Sequence, residues 1–465
     1  MRLILLCLYV CVFLQIKETS AQYWVPVGDG FNFEVRELYV DNNSNTMYAG
    51  GGFWMSGSTP VQYIAEWTGS DWAALPSFQN SSSVLTMINF DNELYVGGFS
   101  ITNEASLKRW DGTDWETVGN GTNGIVHDIE VFEGELYVAG SYSMAGNIVT
   151  NGVSKWDGSN WHSLDFPNYE LGQNFVTVNA IAFYNGELYI GGGFRDETGD
   201  RVNIAKYDGQ NWQTVGEGLV GQFAAVFDLT VYDNELYVSG RFNRAEGNPE
   251  NGIVRWDGNN WIDLGGGVYN DGDEFGGVYD LEIIDGKLIV GGSFNRAGNI
   301  RANSIASWDG ETWCTFTNEY INGVNTIAEY NGELYIGGGF ETIGSDTLNF
   351  VAEWTGGNHA DTCATISGIE DADTETTKLT IYPNPTNSTI TLTWQAQNHS
   401  NNYQLQLYDG KGKLIITETL RAAQGSKVLD MSAFSKGIYF GRLLVGEEDR
   451  PFGSAQGKSF KVVRE

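Results

Sequence analysis

The sequence is poor in positive charge, proline and histidine. Only 26 Lys and Arg residues stand against 59 Asp and Glu residues, which gives a formal net charge of −33. Because such a surface repels phosphate backbones and anionic lipids, we expect no nucleic-acid partner. The chain has 8 prolines against 60 glycines, and 13% of its residues are aromatic. This composition favours an all-β chain with many tight turns.

Long apolar runs are absent as well. The longest, residues 3–14, has 12 residues, fewer than the roughly 20 that a membrane helix needs, so no transmembrane segment is expected. It follows Arg2 and precedes the small residues Thr19, Ser20 and Ala21. This order is typical of a secretory signal peptide, which we predict over residues 1–21.

Cysteine is scarce outside that segment. Cys7 and Cys11 lie within the predicted signal peptide, so the mature chain would keep Cys314 and Cys363. Two cysteines in an exported protein favour one disulfide between them. Two separate thiols are the alternative.

Residues for metal or catalytic chemistry are few. The four histidines are not at metal-ligand spacing, and we expect no cofactor and no catalytic residues. The sequence contains no G-x-S-x-G elbow, phosphate-binding loop or H-E-x-x-H motif. Asp271, Asp273 and Glu274 are a weak calcium candidate, because oxygen ligands suit this ion. A solvated acidic loop is the favoured interpretation of those three residues.

An internal repeat dominates the first three quarters of the chain. Its fullest copy, residues 184–212, reads YNGELYIGGGF and then NIAKYDGQNW. The aromatic residue of the IAxW segment recurs at intervals of 43 to 52 residues, which makes seven units. These aromatic residues are Trp67, Trp110, Trp156, Tyr207, Trp256, Trp308 and Trp354.

Each unit predicts four antiparallel strands. Two-residue turns such as Asn185-Gly186 join the first two strands, and Asp208-Gly209 turns join the last two. The last unit stops after Trp354, whereas residues 24–28 match a fourth strand. We therefore predict that the N-terminal strand completes the last unit of a seven-bladed β-propeller over residues 22–357.

The glycine pair after a strand, the following aromatic-Asp and the later Trp together resemble the Kelch pattern. The segments IAxWDGxxW and YNGxLYVGGxF are also similar to repeats of secreted bacterial propellers. This resemblance implies the propeller fold, and it implies a binding platform more often than an enzyme.

The last hundred residues differ in composition. Residues 358–378 are polar and acidic and are predicted to be a linker. Alternating strands over residues 379–465 then predict a small Ig-like β-sandwich. The YPNP start, the DGKGK turn, the KGIY segment and the basic final strand resemble the type A sorting domain of the type IX secretion system. That resemblance implies the secretion machinery as a partner and a secreted or surface-attached protein.

Two sets of side chains invite a binding hypothesis. The paired aromatic residues of each WDGxxW segment could stack on carbohydrate, but their recurrence in every unit favours packing between blades. Arginines are rarer, and six of the 13 Lys and Arg residues in 22–357 are predicted to occupy the same loop of three consecutive units. These are Arg195, Arg201, Arg241, Arg244, Arg296 and Arg301.

Guanidinium groups bind carboxylate or sulfate bidentately, so these six arginines predict an acidic glycan or a carboxylate-bearing protein as ligand. The competing interpretation is a repeat loop whose arginines pair with nearby carboxylates. The sequence thus favours an exported, non-enzymatic adhesion module. A polysaccharide hydrolase or lyase and a purely structural surface protein are the alternatives.

Overall fold

The structure is a computed structural model of the 465-residue chain. It describes residues 24–75, 83–100, 106–167, 176–196, 198–221, 224–242, 244–245, 251–270, 276–317, 319–355, 378–382, 388–395, 402–408, 414–420, 424–446 and 457–464. These residues form strands and turns, and no helix that could cross a membrane occurs among them. The predicted signal peptide and residues 358–377 of the predicted linker lie outside these ranges, whereas Lys378 begins a strand. The chain divides into two units, Met1–Thr365 and Ile366–Glu465.

The first unit contains seven four-stranded antiparallel sheets, which we number in chain order. Sheets one to four are each built from four strands that follow one another along the chain. Their strands are Val35–Asp41, Thr46–Gly51, Ile64–Trp67 and Trp72–Ala74; Ser83–Phe90, Glu93–Phe99, Leu107–Trp110 and Trp115–Thr117; Ile125–Phe132, Glu135–Ser141, Val153–Trp156 and Trp161–Ser163; Thr177–Tyr184, Glu187–Gly193, Ile204–Tyr207 and Trp212–Thr214.

Sheets five and six follow the same plan, but sheet seven takes its fourth strand from the start of the chain. The strands are Ala225–Tyr232, Glu235–Arg241, Ile253–Trp256 and Trp261–Ile262; Gly277–Ile284, Lys287–Ser293, Ile305–Trp308 and Trp313–Thr315; Val324–Tyr330, Glu333–Gly338, Val351–Trp354 and Trp24–Pro26.

Short ladders of two-residue strands lie in the loops between second and third strands, and two of these ladders also include a strand from the loop between two sheets. They are Met55–Ser56 with Thr59–Pro60; Met144–Ala145 with Ile148–Val149; Leu219–Val220 with Arg244–Ala245; Val268–Tyr269 with Arg296–Ala297 and Ile300–Arg301; Thr342–Ile343 with Asp346–Thr347.

Local sequence explains the common form of the sheets. Asn185 and Gly186 both have positive φ, as a two-residue type I′ hairpin turn requires, and Asp285-Gly286 repeats this geometry. In every sheet, the first strand carries a β-bulge directly after a buried valine, such as Val35. A bulge increases local twist. The repeat therefore specifies one twisted sheet per unit.

The first strands of the seven sheets contact one another in series. Each contacts the first strand of the next sheet, and that of sheet seven, Val324–Tyr330, contacts that of sheet one, Val35–Asp41. At this last junction, the Leu38 N–H donates to Thr326 Oγ1 (3.0 Å) and Asn325 Nδ2 donates to the Val35 carbonyl (2.9 Å). The unit therefore has a propeller-like arrangement of sheets around a common centre.

The N-terminal strand Trp24–Pro26 pairs antiparallel with Val351–Trp354 at the outer edge of sheet seven. Trp24 lies opposite Trp354, and their ring centroids are 5.0 Å apart. Trp24 is 4% exposed and shares a hydrophobic cluster with Phe316 and Trp354. The start of the described chain is therefore anchored by apolar burial as well as by the ladder.

The second unit has two antiparallel sheets. One orders its strands as Lys378–Tyr382, Thr389–Gln395 and Gln424–Asp430, and the other as Leu414–Leu420, Asn402–Tyr408, Gly437–Gly446 and Gly457–Arg464. Ile390 and Leu392 from the first sheet and Leu405 and Leu407 from the second lie in one buried cluster. The two sheets therefore share a hydrophobic core.

We expect the Trp24→Ala substitution to lower the free energy of unfolding by about 3–5 kcal/mol, because it leaves a cavity beside Trp354 and Phe316. Urea denaturation followed by tryptophan fluorescence measures this loss. Val149→Ala is the control, since Val149 is 74% exposed and its truncation should change little. Equal stability of the Trp24→Ala and Val149→Ala proteins would contradict the role of the N-terminal strand.

Candidate functional site

The paired aromatic residues of the repeat form the packing between sheets. Within each sheet the two rings lie close together, as in Trp308 and Trp313, whose centroids are 5.1 Å apart. The second tryptophan then reaches the preceding sheet: Trp72 Nε1 donates to the Val27 carbonyl (3.1 Å) and Trp161 Nε1 to the Gly119 carbonyl (3.0 Å). These contacts confirm the core interpretation of the WDGxxW pairs.

The aspartate of each WDG segment caps its own turn. Asp208 Oδ1 accepts hydrogen bonds from the backbone N–H groups of Gln210 (2.8 Å) and Asn211 (2.7 Å). These bonds lower the pKa of Asp208, the N–H of Asn211 contributing most. Gly209 has a φ of +93°, which favours glycine at that position. These residues are therefore structural.

Two pairs of the predicted arginine set lie opposite each other in short ladders. Arg195 is bridged to Arg201 beside sheet four, and Arg296 pairs with Arg301 beside sheet six. In each pair the first arginine is half-buried and the second is exposed. Arg195 Nη1 also donates to the Gly199 carbonyl (2.7 Å) of its own loop. The structure thus places two pairs of arginines opposite each other along the backbone, in the loops between second and third strands.

The arginines of sheet five are arranged differently. The predicted loop position is wrong for Arg241, which is the last residue of a second strand and lies opposite Ala225. It has the position that Gly193 has in sheet four. Its guanidinium carbon lies 6.0 Å from the centroid of the Phe227 ring, within cation–π range. Arg244 lies opposite Val220 in a separate ladder. Arg241 and Arg244 therefore do not oppose each other.

The remaining predicted sites are only partly described. Asp271, Asp273 and Glu274, the calcium candidate, lie outside the described residues. Among the described residues, no cluster of three or more His, Cys, Asp or Glu side chains is placed to hold a metal ion.

Cys314 is disulfide-bonded and 4% exposed. Its predicted partner, Cys363, lies outside the described residues.

The inner edge of the ring carries a second set of polar residues that the sequence interpretation did not single out. The residue after the bulge is often a carboxylate that accepts the backbone N–H of the next sheet's first strand. Such bonds join Ile181 N–H to Asp128 Oδ2 (2.7 Å), Leu281 N–H to Asp228 Oδ2 (2.8 Å) and Ile327 N–H to Asp280 Oδ2 (2.5 Å). We call these three bonds, together with the Leu38–Thr326 bond, the inner latches.

The latch carboxylates are close enough to repel one another. Burial raises the pKa of Asp128 to about 6, and burial followed by the charge of Glu282 raises the pKa of Asp280 to about 7. The pKa of Asp228 is raised by burial and then by the charges of Asp280 and Asp128. The pKa of Glu37 in sheet one is raised by burial and by the same carboxylates. Acidic groups from four sheets therefore converge at the centre.

Glu130 and Glu282 lie two residues beyond Asp128 and Asp280 and have no latch function. Burial is the largest cause that raises the pKa of each to about 7. The sequence carries a signal for the group, since a Val-x-Asp triplet begins the first strand of three units, as in Val226 to Asp228. The triplet alone does not predict that the carboxylates lie close together. That proximity depends on the arrangement of the sheets, which brings together residues roughly 50 to 250 positions apart.

Comparison with known proteins identifies part of the second unit. Residues 380–449 match the family model described as "Secretion system C-terminal sorting domain". This part of the chain is a sorting domain. The predicted type IX sorting domain is thus confirmed over these residues, and the protein is exported through the type IX secretion system to the cell surface or the extracellular space. The sorting domain implies recognition by the type IX machinery.

No curated protein matches the chain by sequence. Among solved structures, YjhT shares 14% identity over 71% of this chain and 96% of its own, with a TM-score of 0.35. A protein of unknown function from Bacteroides thetaiotaomicron shares 10% identity over the same shares of the two chains, with a TM-score of 0.29. At these scores, neither similarity carries an argument about this protein.

The converging carboxyl groups predict that stability decreases as pH rises. A carboxyl whose pKa is raised by folding stabilises the protein fully below its unfolded pKa of about 4.3, and this contribution is lost as pH rises through its folded value. For Glu282 the window runs from that value to about 7. We expect Glu282→Gln to raise the free energy of unfolding at pH 8 by on the order of 1–2 kcal/mol and to change it little at pH 4.

Urea denaturation at several pH values measures this difference. Glu341→Gln is the matched control, because Glu341 is exposed beside sheet seven. The electrostatic account of the centre is wrong if Glu282→Gln and Glu341→Gln give the same dependence of stability on pH.

The disulfide of Cys314 predicts a change in mass on reduction. If Cys363 is the partner, the mature protein gains two hydrogen atoms with reductant. Glu-C mapping without reductant then recovers one linked peptide pair that contains both cysteines, because glutamates, but no Lys or Arg, lie between them. Cys314→Ser should abolish that pair. If the two cysteine-containing peptides are instead recovered separately, each alkylated without reductant, the pairing is wrong.

Proposed function

We propose that the first unit is a seven-bladed β-propeller closed by its N-terminal strand, and that it acts as a non-enzymatic binding module on the cell surface or in the medium. Its ligand carries carboxylate or sulfate groups, as an acidic glycan or an acidic protein surface does. The observation that carries this proposal is the backbone pairing of Arg195 with Arg201 and of Arg296 with Arg301.

The topology supports a common location for these arginines. The first strand of each sheet starts, and its second strand ends, at the same end of the ring, because the strands are antiparallel. The loops between second and third strands and the loops between sheets therefore lie at one end, which we call the loop end. Both arginine ladders belong to it.

The charge of the protein adds to this support. Positive side chains are rare in this acidic chain. Two opposed arginine pairs at one end therefore make the electrostatic potential there less negative than the average over the protein surface. A carboxylate or sulfate placed between two opposed arginines accepts charge-assisted hydrogen bonds from both.

The exposed member of each pair provides the test. We expect the double substitution Arg201→Ala and Arg301→Ala to weaken binding to polygalacturonate by about tenfold or more, since a hydrogen bond to a charged group contributes about 1.5–3 kcal/mol. Retention on an immobilised polygalacturonate column, with elution by salt, measures the change.

Lys155→Ala with Lys206→Ala is the matched control. It removes the same charge from ion pairs with Glu135 and Glu187, away from the loop end. Equal retention of the two double variants contradicts a specific arginine site. Release of new reducing ends from polygalacturonate by the native protein would favour the hydrolase or lyase alternative instead.

A further inference from the structure

Sheet one carries an exposed aromatic pair at the loop end. Phe33 precedes the first strand and Trp54 follows the second, and they are 47% and 51% exposed. Their ring centroids lie 6.3 Å apart with an interplanar angle of 30°. Most aromatic side chains of this unit are instead buried between sheets. The pair therefore presents two nearly parallel rings to solvent.

The backbone around the pair is fixed by hydrogen bonds. The Trp54 N–H donates to Asn32 Oδ1 (3.0 Å), and its carbonyl accepts from the Val61 N–H (3.0 Å). The Phe33 ring packs directly against the backbone of Gly52. A Cβ atom at that position would lie only 2.8 Å from Phe33 Cδ1. Because this backbone is already held in place, less conformational entropy of the loop is lost when a ligand binds.

The pair is specific to one repeat and is not part of the scaffold. In the six other repeats, neither corresponding position carries an aromatic residue. The residues that correspond to Phe33 are Ser82, Gly124, Val176, Ala224, Gly276 and Asn322, and those that correspond to Trp54 are Ile101, Ser143, Arg195, Asn243, Asn295 and Glu341. Since the sheet forms without these aromatic rings, folding does not explain them.

The size of the exposed surface indicates a small ligand. Two half-exposed aromatic side chains offer on the order of 200 Å². A stable protein interface buries about 800 Å² on each partner. The pair is large enough for one or two sugar rings, whereas a protein partner would need much more surface.

The neighbouring charges indicate a ligand rich in hydroxyl groups. Glu34 and Arg36 form an ion pair beside Phe33, and their side chains remain 25% and 44% exposed. The carboxylate accepts hydrogen bonds and the guanidinium donates them, so together they match the two functions of a sugar hydroxyl. An aromatic ring face beside this ion pair suits a hexopyranose, which has an apolar C–H face and polar edges.

We propose that Phe33 and Trp54 form a sugar-stacking subsite for hexopyranose units, with Glu34 and Arg36 as hydrogen-bonding partners. This inference rests on the proposed function in that it takes the loop end as the glycan-binding end. It differs in chemistry, because stacking on an aromatic ring requires no charge on the sugar. Neutral and acidic glycans should both use this subsite.

Titration calorimetry of the full mature chain with two probes, cellohexaose and hexagalacturonate, tests the proposal. We expect Trp54→Ala to weaken binding of both hexasaccharides by about tenfold. Trp54→Phe keeps a ring and should restore part of the affinity. Tyr320→Ala is the control, because Tyr320 is a single aromatic residue, 71% exposed, beside sheet seven.

The double variant of Arg201 and Arg301 separates the two proposals. It should weaken binding of hexagalacturonate and leave cellohexaose unaffected. The subsite is overturned if the native protein does not bind cellohexaose, or if Trp54→Ala binds as the native protein does. The arginine site fails separately if the double variant binds hexagalacturonate with native affinity while Trp54→Ala does not.

Discussion

The hydrogen bond from the first strand of one sheet to the first strand of the next is the interaction on which the propeller-like unit depends. A single sheet buries only part of its apolar surface, so it needs a neighbour on each face. The inner latches fix that neighbour in register. The Leu38–Thr326 bond joins residues 288 positions apart and brings the ends of the series together. Such a bond is present at four of the seven junctions between consecutive sheets, and the tryptophan pairs add apolar packing between neighbouring sheets.

Using carboxylates as acceptors in the latches has an electrostatic consequence. Asp128, Asp228 and Asp280 satisfy backbone donors at the centre, but their charges repel one another where water is scarce. Perturbed carboxyl pKa values often mark catalytic sites. Here the hydrogen bonds to neighbouring sheets account for three of these groups, and the residues that we propose for binding lie at the loop end. We therefore interpret these three carboxylates as structural, and we predict that they make stability depend on pH.

The sequence predicted what repeats and missed what differs between repeats. Trp spacing indicated seven units, and Asn-Gly and Asp-Gly dipeptides located the turns, because these signals are local. The opposition of Arg296 and Arg301 depends on the register of a two-residue ladder, and the convergence of Asp128 with Asp228 depends on a ring of sheets. The pair of Phe33 and Trp54 joins residues 21 positions apart across a loop. Such contacts have no periodic signature.

Backbone hydrogen exchange at the latch donors tests the closed circuit most directly. A closed ring predicts that the amides of Leu38, Ile181, Leu281 and Ile327 exchange slowly and at similar rates, because releasing any one of them requires the ring to open. Exchange of Leu38 at the rate of an exposed loop, with the other three amides still protected, would contradict closure between sheets seven and one.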